Sequence, residues 1–471
     1  MNRPIKKVAI FCFALFAVLF LDGNWIQVVK ASSYSAHADN YRNTIYNYQV
    51  DRGSIIVGSS NVAFSTATKS STMKYQRAYS NGPEYAPVTG YFSSNYGNAN
   101  LEQFENTLLN GKDTRLATQN FIRKAEGKDQ AGGSVVTTIN AKAQDAAYQA
   151  LTSELSSVGQ GAVAAINPKT GAILALVSAP SYDPNKLASS SSSVQNTYAT
   201  SLNNNALQPK LDKALNQTYP PGSTFKIVTS AAALTDGLNG QTITPTTSVS
   251  GAPLQTLTLP QSTSTISNSG GETCNSAVLM DAFAQSCNTV FGYVGMQLGA
   301  SNVQSMAQAF GFNKTGLSVP MSVSTSNFPS SNGLSQAQLA QSSIGQYNVT
   351  MTPLEGAMMA SAVANGGTIE APYLIAKELD TSGNVITTAS PTTYSTPISS
   401  SVATELSTMM QDVVTNGTAT SLQNLGVSVA AKTGTAERGT GQNPVAWMVA
   451  YAPANDPQVA RSEERRVGKE C

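Results

Sequence analysis

The stretch Tyr219-Pro220-Pro221-Gly222-Ser223-Thr224-Phe225-Lys226, followed by Ile227-Val228-Thr229-Ser230-Ala231-Ala232-Ala233-Leu234, decides how this chain is read. Prolines and a glycine ahead of an Ala- and Val-rich run predict the start of a buried helix at Ser223. Residues three apart on a helix share a face, so the Ser223 hydroxyl and the Lys226 amine can meet. A lysine held among apolar neighbours loses the hydration of its charged form, and its pKa falls until it can take a proton from serine. Spacing alone carries little weight, because Ser71-Thr72-Met73-Lys74 has it too, in a polar stretch with no apolar run behind it. There a solvated turn is expected.

Two further short patterns follow in order. Ser286-Cys287-Asn288 lies after a helical pattern from Ala277 to Gln285 and before Thr289-Val290-Phe291. Ser-x-Asn is weak by itself, since it recurs at Ser93, Ser201, Ser330 and Ser382. Lys-Thr-Gly occurs at 169–171, 314–316 and 432–434. The first sits between the apolar runs Gly161–Ile166 and Ala172–Ala179 and is expected to be the turn of a buried β-hairpin. The second follows the helical stretch Asn302–Phe310 and is expected at a helix exit. The third follows Val427–Ala431 and precedes a strand pattern at Ala446–Ala452, so Lys432-Thr433-Gly434-Thr435 is expected on a strand, with alternate side chains toward one face.

Composition narrows the chemistry. The 28 basic and 27 acidic residues give no net field to draw nucleic acid. There is a single histidine, His37, so a Ser-His-Asp site has one candidate near the N-terminus and a His-rich metal site is excluded. A serine nucleophile here is expected to rely on lysine. Met1-Asn2-Arg3-Pro4-Ile5-Lys6-Lys7 precedes an apolar run from Val8 to Leu21 that continues toward Trp25 and Val29. This predicts an uncleaved signal-anchor, a helix of roughly 33 Å with its charged end in the cytoplasm and the rest of the chain outside. The competing reading is a signal peptide cleaved at Val29-Lys30-Ala31. Cys274 and Cys287 are the two cysteines of the chain's body, to be found as a disulfide or as two buried thiols. The serine run 189–193 is expected in a surface loop.

In their order, Ser223-x-x-Lys226, Ser286-x-Asn288 and Lys432-Thr433-Gly434 are the motif set of serine β-lactamases and penicillin-binding proteins. The chain resembles the class B penicillin-binding proteins, monofunctional peptidoglycan D,D-transpeptidases, and among them the PbpA-like type of actinobacteria. Asp51-Arg52-Gly53-Ser54-Ile55 resembles their N-terminal Arg-Gly-x-Ile box, Tyr85–Tyr91 their accessory domain, and 345–367 the helix before the last strands. The resemblance implies an α+β protein. A serine β-lactamase-like transpeptidase fold, an antiparallel sheet flanked by helices, would follow an accessory α+β domain and a membrane anchor. The expected divisions are an anchor at 1–30, an accessory module at 31–150 and a transpeptidase domain at 151–460.

It also implies roles. Ser223 would attack the penultimate D-alanine carbonyl of a stem peptide, with Lys226 as base and the N–H groups of Ser223 and Thr435 as oxyanion hole. Ser286 would relay a proton to the leaving D-alanine, Asn288 would hold Lys226 and the substrate amide, and Lys432 would supply positive potential. Thr433, Gly434 and Thr435 would bind the substrate, the threonines through its terminal carboxylate. No cofactor or metal is implied. Expected partners are stem peptides, β-lactams, the membrane, a separate membrane glycan polymerase and cell-wall assembly proteins of growth or division. A D,D-carboxypeptidase, a β-lactamase, or a non-enzymatic β-lactam sensor or scaffold are the rival readings.

One departure stands out. After Pro457-Gln458-Val459-Ala460 the family's next strand and C-terminal helix are expected, but Arg461–Cys471 is charged and lacks apolar periodicity. It reads as a non-native tail. By the family's fold that strand would lie between the 161–179 hairpin and the Lys432 strand; without it two buried strand edges would stay unpaired, and poor folding is expected.

Overall fold

A computed structural model describes residues 3–30, 34, 46–155, 159–437 and 443–466; His37 and the end of the tail lie outside the described residues. Helix α1 (Arg3–Asn24) runs on through Trp25–Val29 with every side chain away from the protein body, except a half-exposed Gly23. Over 3–29 it is long and apolar enough to cross a membrane, with a mean hydropathy of 2.1 across an 18-residue window.

The accessory sheet is built from β1 (Ile55–Val57), β2 (Ser60–Ala67), β3 (Tyr75–Tyr79) and β4 (Ser134–Thr137). Its order is β4-β1-β2-β3, with β4 and β1 parallel, and on the far side of β4 it gains a hairpin from much later in the chain, Ile375–Leu379 and Val385–Thr388. The sheet is held at its centre by charge. The Glu102 carboxylate accepts from Arg52 Nε and Arg77 Nε, each at 2.6 Å, and from the Tyr79 hydroxyl at 3.1 Å. Arg52 also donates to Glu102 O and Asn106 Oδ1, and Arg77 to Arg52 O and Gly53 O. Burial by itself would raise the Glu102 pKa, but the two guanidiniums outweigh it and hold the carboxyl below its ordinary value. Gly53 explains the glycine of the Arg-Gly box, because a Cβ there would lie 1.7 Å from Gly133 O.

Helix α2 (Ala141–Glu154), capped by the Asn140 side chain, leads into the second sheet. That sheet contains β5 (Gly161–Ile166), β6 (Ile173–Ala179), β7 (Ala430–Ala436), β8 (Val445–Ala452) and β9 (Val459–Arg466). Its order is β7-β8-β9-β5-β6, antiparallel throughout. Val163 and Val177 pack on α2, through Leu151 and its neighbours. The opposite face, with Ala162, Ala164 and Leu176, joins the main core beneath the buried helix Pro353–Ala364. Gln144 on α2 ties the two sheets together: its amide exchanges bonds with Leu176 N and O and donates to Glu84 O in the accessory module.

The core helices are α3 (Lys226–Asp236), α4 (Leu279–Ala284), α5 (Asn288–Leu298), α6 (Pro353–Ala364) and α7 (Ser400–Thr415). The buried hairpin at 161–179 is as expected, with Gly171 at φ 80° closing the turn of the first Lys-Thr-Gly. The second follows the helix Ala300–Phe310 and ends on Gly316 at φ 84°. In the serine run, Ser191 caps a helix, Ser192–Asn203, so part of the expected loop is helical.

The expected gap in the sheet is a correction. β9 lies between β8 and β5, not beside the Lys432 strand β7, and pairs with both, so neither edge is open. Main-chain N–H and C=O groups need partners whatever side chains accompany them, and the polar tail supplies those partners. What it lacks is an apolar inner face. Alternation turns Ala460, Ser462 and Glu464 inward, and the Ser462 hydroxyl is buried without a hydrogen-bond partner among the described residues.

Removing the Glu102 carboxylate leaves two buried guanidiniums uncompensated. Glu102→Ala is expected to destabilise the accessory module by about 3–5 kcal/mol, read as a lower denaturation midpoint; an unchanged midpoint would contradict the role given to this cluster. Because the folded pKa is depressed, the stabilisation is complete above the unfolded carboxyl value of 4.5 and is lost as pH falls through the folded one.

Candidate active site

Ser223 lies in a 3-10 turn, Gly222–Phe225, and the α-helix proper begins at Lys226, three residues later than the sequence pattern suggests. The turn is enough to aim the hydroxyl. Lys226 Nζ is 3.0 Å from Ser223 Oγ. The same nitrogen is 2.6 Å from Ser286 O, 2.8 Å from Asn288 Oδ1 and 3.3 Å from Ser286 Oγ. Ser286 reaches this position at φ 62°, between α4 and α5.

Lys432 approaches from β7. Its Nζ is 2.9 Å from Ser286 Oγ and 3.0 Å from Thr433 O. Both amines are fully buried and each lies 5.5 Å from a ring centroid, Lys226 over Phe291 and Lys432 over Phe283. Burial, and after it the neighbouring charge of Lys432, holds the Lys226 pKa well below the ordinary 10.5. Burial alone pulls Lys432 down to about 7. The charge is disfavoured at both amines, and at Lys226 the charge of Lys432 disfavours it further.

The geometry suits a neutral Lys226. An NH2 group has two donors and one lone pair, while Ser286 O and Asn288 Oδ1 can only accept. With both N–H bonds spent on those oxygens, the lone pair is left for the Ser223 hydroxyl to donate into.

Gly434 accounts for the glycine of the third Lys-Thr-Gly. A Cβ on it would lie 2.9 Å from Pro221 O and from the Thr224 methyl, so only glycine lets β7 run this close to the turn that carries Ser223. Trp447, on the neighbouring strand, donates its indole N–H to Pro220 O at 2.9 Å and fixes the same approach. Ser223, Ser286, Asn288, Thr433, Gly434 and Thr435 line one cleft of about 880 Å3, with Tyr347 and Glu437 on its walls.

The seven residues of the three motifs, and Thr435 beside them, thus meet at one place. The lookalikes do not. Lys74 pairs with Asp129 on the surface, Lys169 with exposed Asp456, and Lys314 lies over the Tyr394 ring. Cys274 and Cys287 form a disulfide, which settles the open choice between a bridge and two thiols. Sequence reasoning missed Thr418, whose hydroxyl bonds that of Thr433, the rings beneath the two amines, and Asn268 beside the Ser286 loop. No local pattern marks any of them. Among the described residues, no cluster of His, Cys, Asp and Glu could hold a metal ion.

Residues 161–463 match the penicillin binding protein transpeptidase domain, and residues 52–135 match the penicillin binding protein A dimerisation domain. The chain is 38% identical over 469 residues to peptidoglycan D,D-transpeptidase PbpA of Mycolicibacterium smegmatis, spanning 98% of this chain and 93% of that one. Among solved structures, the ceftriaxone acyl-enzyme of penicillin-binding protein A from Mycobacterium tuberculosis superposes with a TM-score of 0.83 at 38% identity, over 89% of this chain and 93% of that one. The penicillin G acyl-enzyme of the same protein gives 0.82 at 39% identity, over 88% and 93%. With its motif residues assembled in one cleft and these likenesses running along nearly its whole length, the chain belongs to the penicillin-binding protein transpeptidases, of the kind that carries a penicillin binding protein A dimerisation domain.

Proposed function

We propose that the protein is a serine D,D-transpeptidase that cross-links peptidoglycan stem peptides through an acyl-enzyme on Ser223, in cell-wall synthesis during growth or division, and that penicillin acylates it there. The observation that carries this is the Lys226 amine, 3.0 Å from the Ser223 hydroxyl and in reach of Ser286 O and Asn288 Oδ1, two acceptors that can take the hydrogens of a neutral amine and leave its lone pair to Ser223. The relatives named as D,D-transpeptidases and the acyl-enzyme structures support it.

In the first half-reaction the Ser223 proton passes to Lys226 Nζ as Oγ bonds the penultimate D-alanine carbonyl carbon. The N–H groups of Ser223 and Thr435 receive the oxyanion. β7 is the edge strand of its sheet, so its outward backbone is turned to the cleft rather than to a ladder partner. As the peptide C–N bond breaks, the proton moves from Lys226 through Ser286 Oγ, which both amines touch, to the departing D-alanine. In the second half-reaction an amine of a neighbouring stem attacks the ester, its proton returns by the same route to Ser223 Oγ, and a new peptide bond replaces the old one. Thr433 and Thr435 hold the substrate's terminal carboxylate within the positive potential of Lys432, and Asn288 holds the substrate amide. A β-lactam presents the same carbonyl and carboxylate, and its ring opens onto Ser223.

The same reading places α1 in the cell membrane as a single-pass anchor. Arg3, Lys6 and Lys7 stay in the cytoplasm and both sheets lie outside. Glycan polymerisation then falls to a separate membrane protein, and further cell-wall assembly proteins are its neighbours.

Labelling with a fluorescent penicillin tests the proposal. The full chain is expected to label, Ser223→Ala to lose the label entirely, and Lys226→Ala to label about 10²–10⁴-fold more slowly; labelling that survives in Ser223→Ala would refute the assignment. The second-order acylation rate is expected to be bell-shaped in pH. It rises as Lys226 loses its proton, at a pH well below 10.5, and falls as Lys432 loses its own at about 7 in the free protein. A rate that only rises up to pH 10 would contradict the two charge states.

A further inference from the structure

The loop that carries Ser286 and Asn288 is fixed by more than its contacts to the two lysines. α5 begins at Asn288, and the first N–H groups of a helix have no partner within it. A Ser, Thr, Asp or Asn just before the helix ordinarily accepts from them. Here that position is Cys287, which makes no capping bond and whose sulfur is bonded to Cys274.

The acceptor comes instead from another part of the chain. Asn268 Oδ1 accepts from Asn288 N at 2.8 Å, from Thr289 N at 3.1 Å and from the Thr289 hydroxyl at 3.3 Å. Asn268 Nδ2 donates to Leu254 O at 2.8 Å and to Glu272 O at 3.0 Å, which fixes the amide's orientation from behind. One residue earlier, Ser267 O accepts from Asn288 Nδ2 at 3.1 Å, which leaves Asn288 Oδ1 pointing at Lys226. Two consecutive residues thus hold both the backbone and the side chain of Asn288. The loop needs this support, because Ser286 sits at positive φ, a conformation that non-glycine residues adopt at a cost.

We infer that Asn268 is a positioning residue for acylation. It caps α5 from outside the helix and so fixes Asn288 Oδ1 and Ser286 O, the two acceptors that leave the Lys226 lone pair to Ser223. The inference rests on the roles given above to Ser223 and Lys226. Asn268 also lines the cleft, but its amide oxygen and nitrogen are taken by Asn288 N, Thr289 N, Leu254 O and Glu272 O. Its effect is on the geometry of the base, and a displacement of about 1 Å at such a site can cost on the order of 10²-fold in rate.

The test uses the full chain and compares Asn268→Ala and Asn268→Asp with Ser223→Ala, reading the fluorescent-penicillin acylation rate alongside thermal unfolding. Each variant is measured at its own pH optimum, because a carboxylate at 268 favours the protonated form of Lys226. Asn268→Ala is expected to acylate about 10–100-fold more slowly while its unfolding temperature moves by only a few degrees. Asn268→Asp keeps an acceptor for the helix N–H groups and is expected to recover most of the rate. If Asn268→Ala acylates at the normal rate while Ser223→Ala stays unlabelled, the inference fails and the active-site assignment stands. If Ser223→Ala labels, the assignment itself fails. Should Asn268→Ala not fold, Asn268→Asp decides: a folded Asp variant as slow as an uncapped helix start implies, 10-fold or more below normal, overturns the capping role.

Discussion

The Lys226 amine is taken out of water where three stretches of chain meet: the turn and helix that carry it, the loop between α4 and α5, and the edge strand β7. Removing a lysine from water disfavours its charge, and a second buried amine close by disfavours it further. One of the two must give up its proton. The acceptors around Lys226 match the two hydrogens of a neutral amine, whereas Lys432 keeps donors for Ser286 Oγ, Thr433 O and the cleft. On the proposed reading, placement alone divides a pair of lysines of the same chemistry into a base and a fixed charge. Ser286, touching both, is the natural path between them.

Holding that arrangement takes most of the catalytic domain. The edge strand can come beside the Ser223 turn only because Gly434 has no side chain, and Trp447 on the next strand ties down Pro220 from the sheet side. Behind β7 and β8, β9 completes the sheet to the buried hairpin. Its main chain does this as well as any strand would, while its inner Ser462 puts a hydroxyl against Gly356 of the buried helix α6. Backbone pairing and side-chain packing are separable requirements, and this strand meets the first better than the second. The accessory module is held differently, by a carboxylate between two guanidiniums rather than by packing alone.

Much of this was legible beforehand where a residue's neighbours in sequence are also its neighbours in space. Ser223 and Lys226 share one turn, Lys432 to Thr435 share one strand, and the two other Lys-Thr-Gly tripeptides sit in turns whose glycines are visible in the sequence. The Arg52-Gly53 box could be seen, but not its reason: Glu102, Arg77 and Gly133 reach it from distant positions. Asn268 was invisible for the same cause, since a cap supplied from another segment leaves no local pattern, and the disulfide that occupies the usual capping position could be stated only as one of two options. The later hairpin at 375–388 joining the accessory sheet carries no signal at all in a linear reading. The gap expected near the tail was wrong because side-chain pattern was asked to decide a question that backbone hydrogen bonding decides.

The most direct measurement is to treat the full chain with penicillin G, digest it and locate the adduct by mass spectrometry. The account predicts the acyl group on Ser223, in the peptide that spans 219–226, and on no other residue. An adduct on Ser286, on either lysine, or on a serine outside the cleft would contradict it.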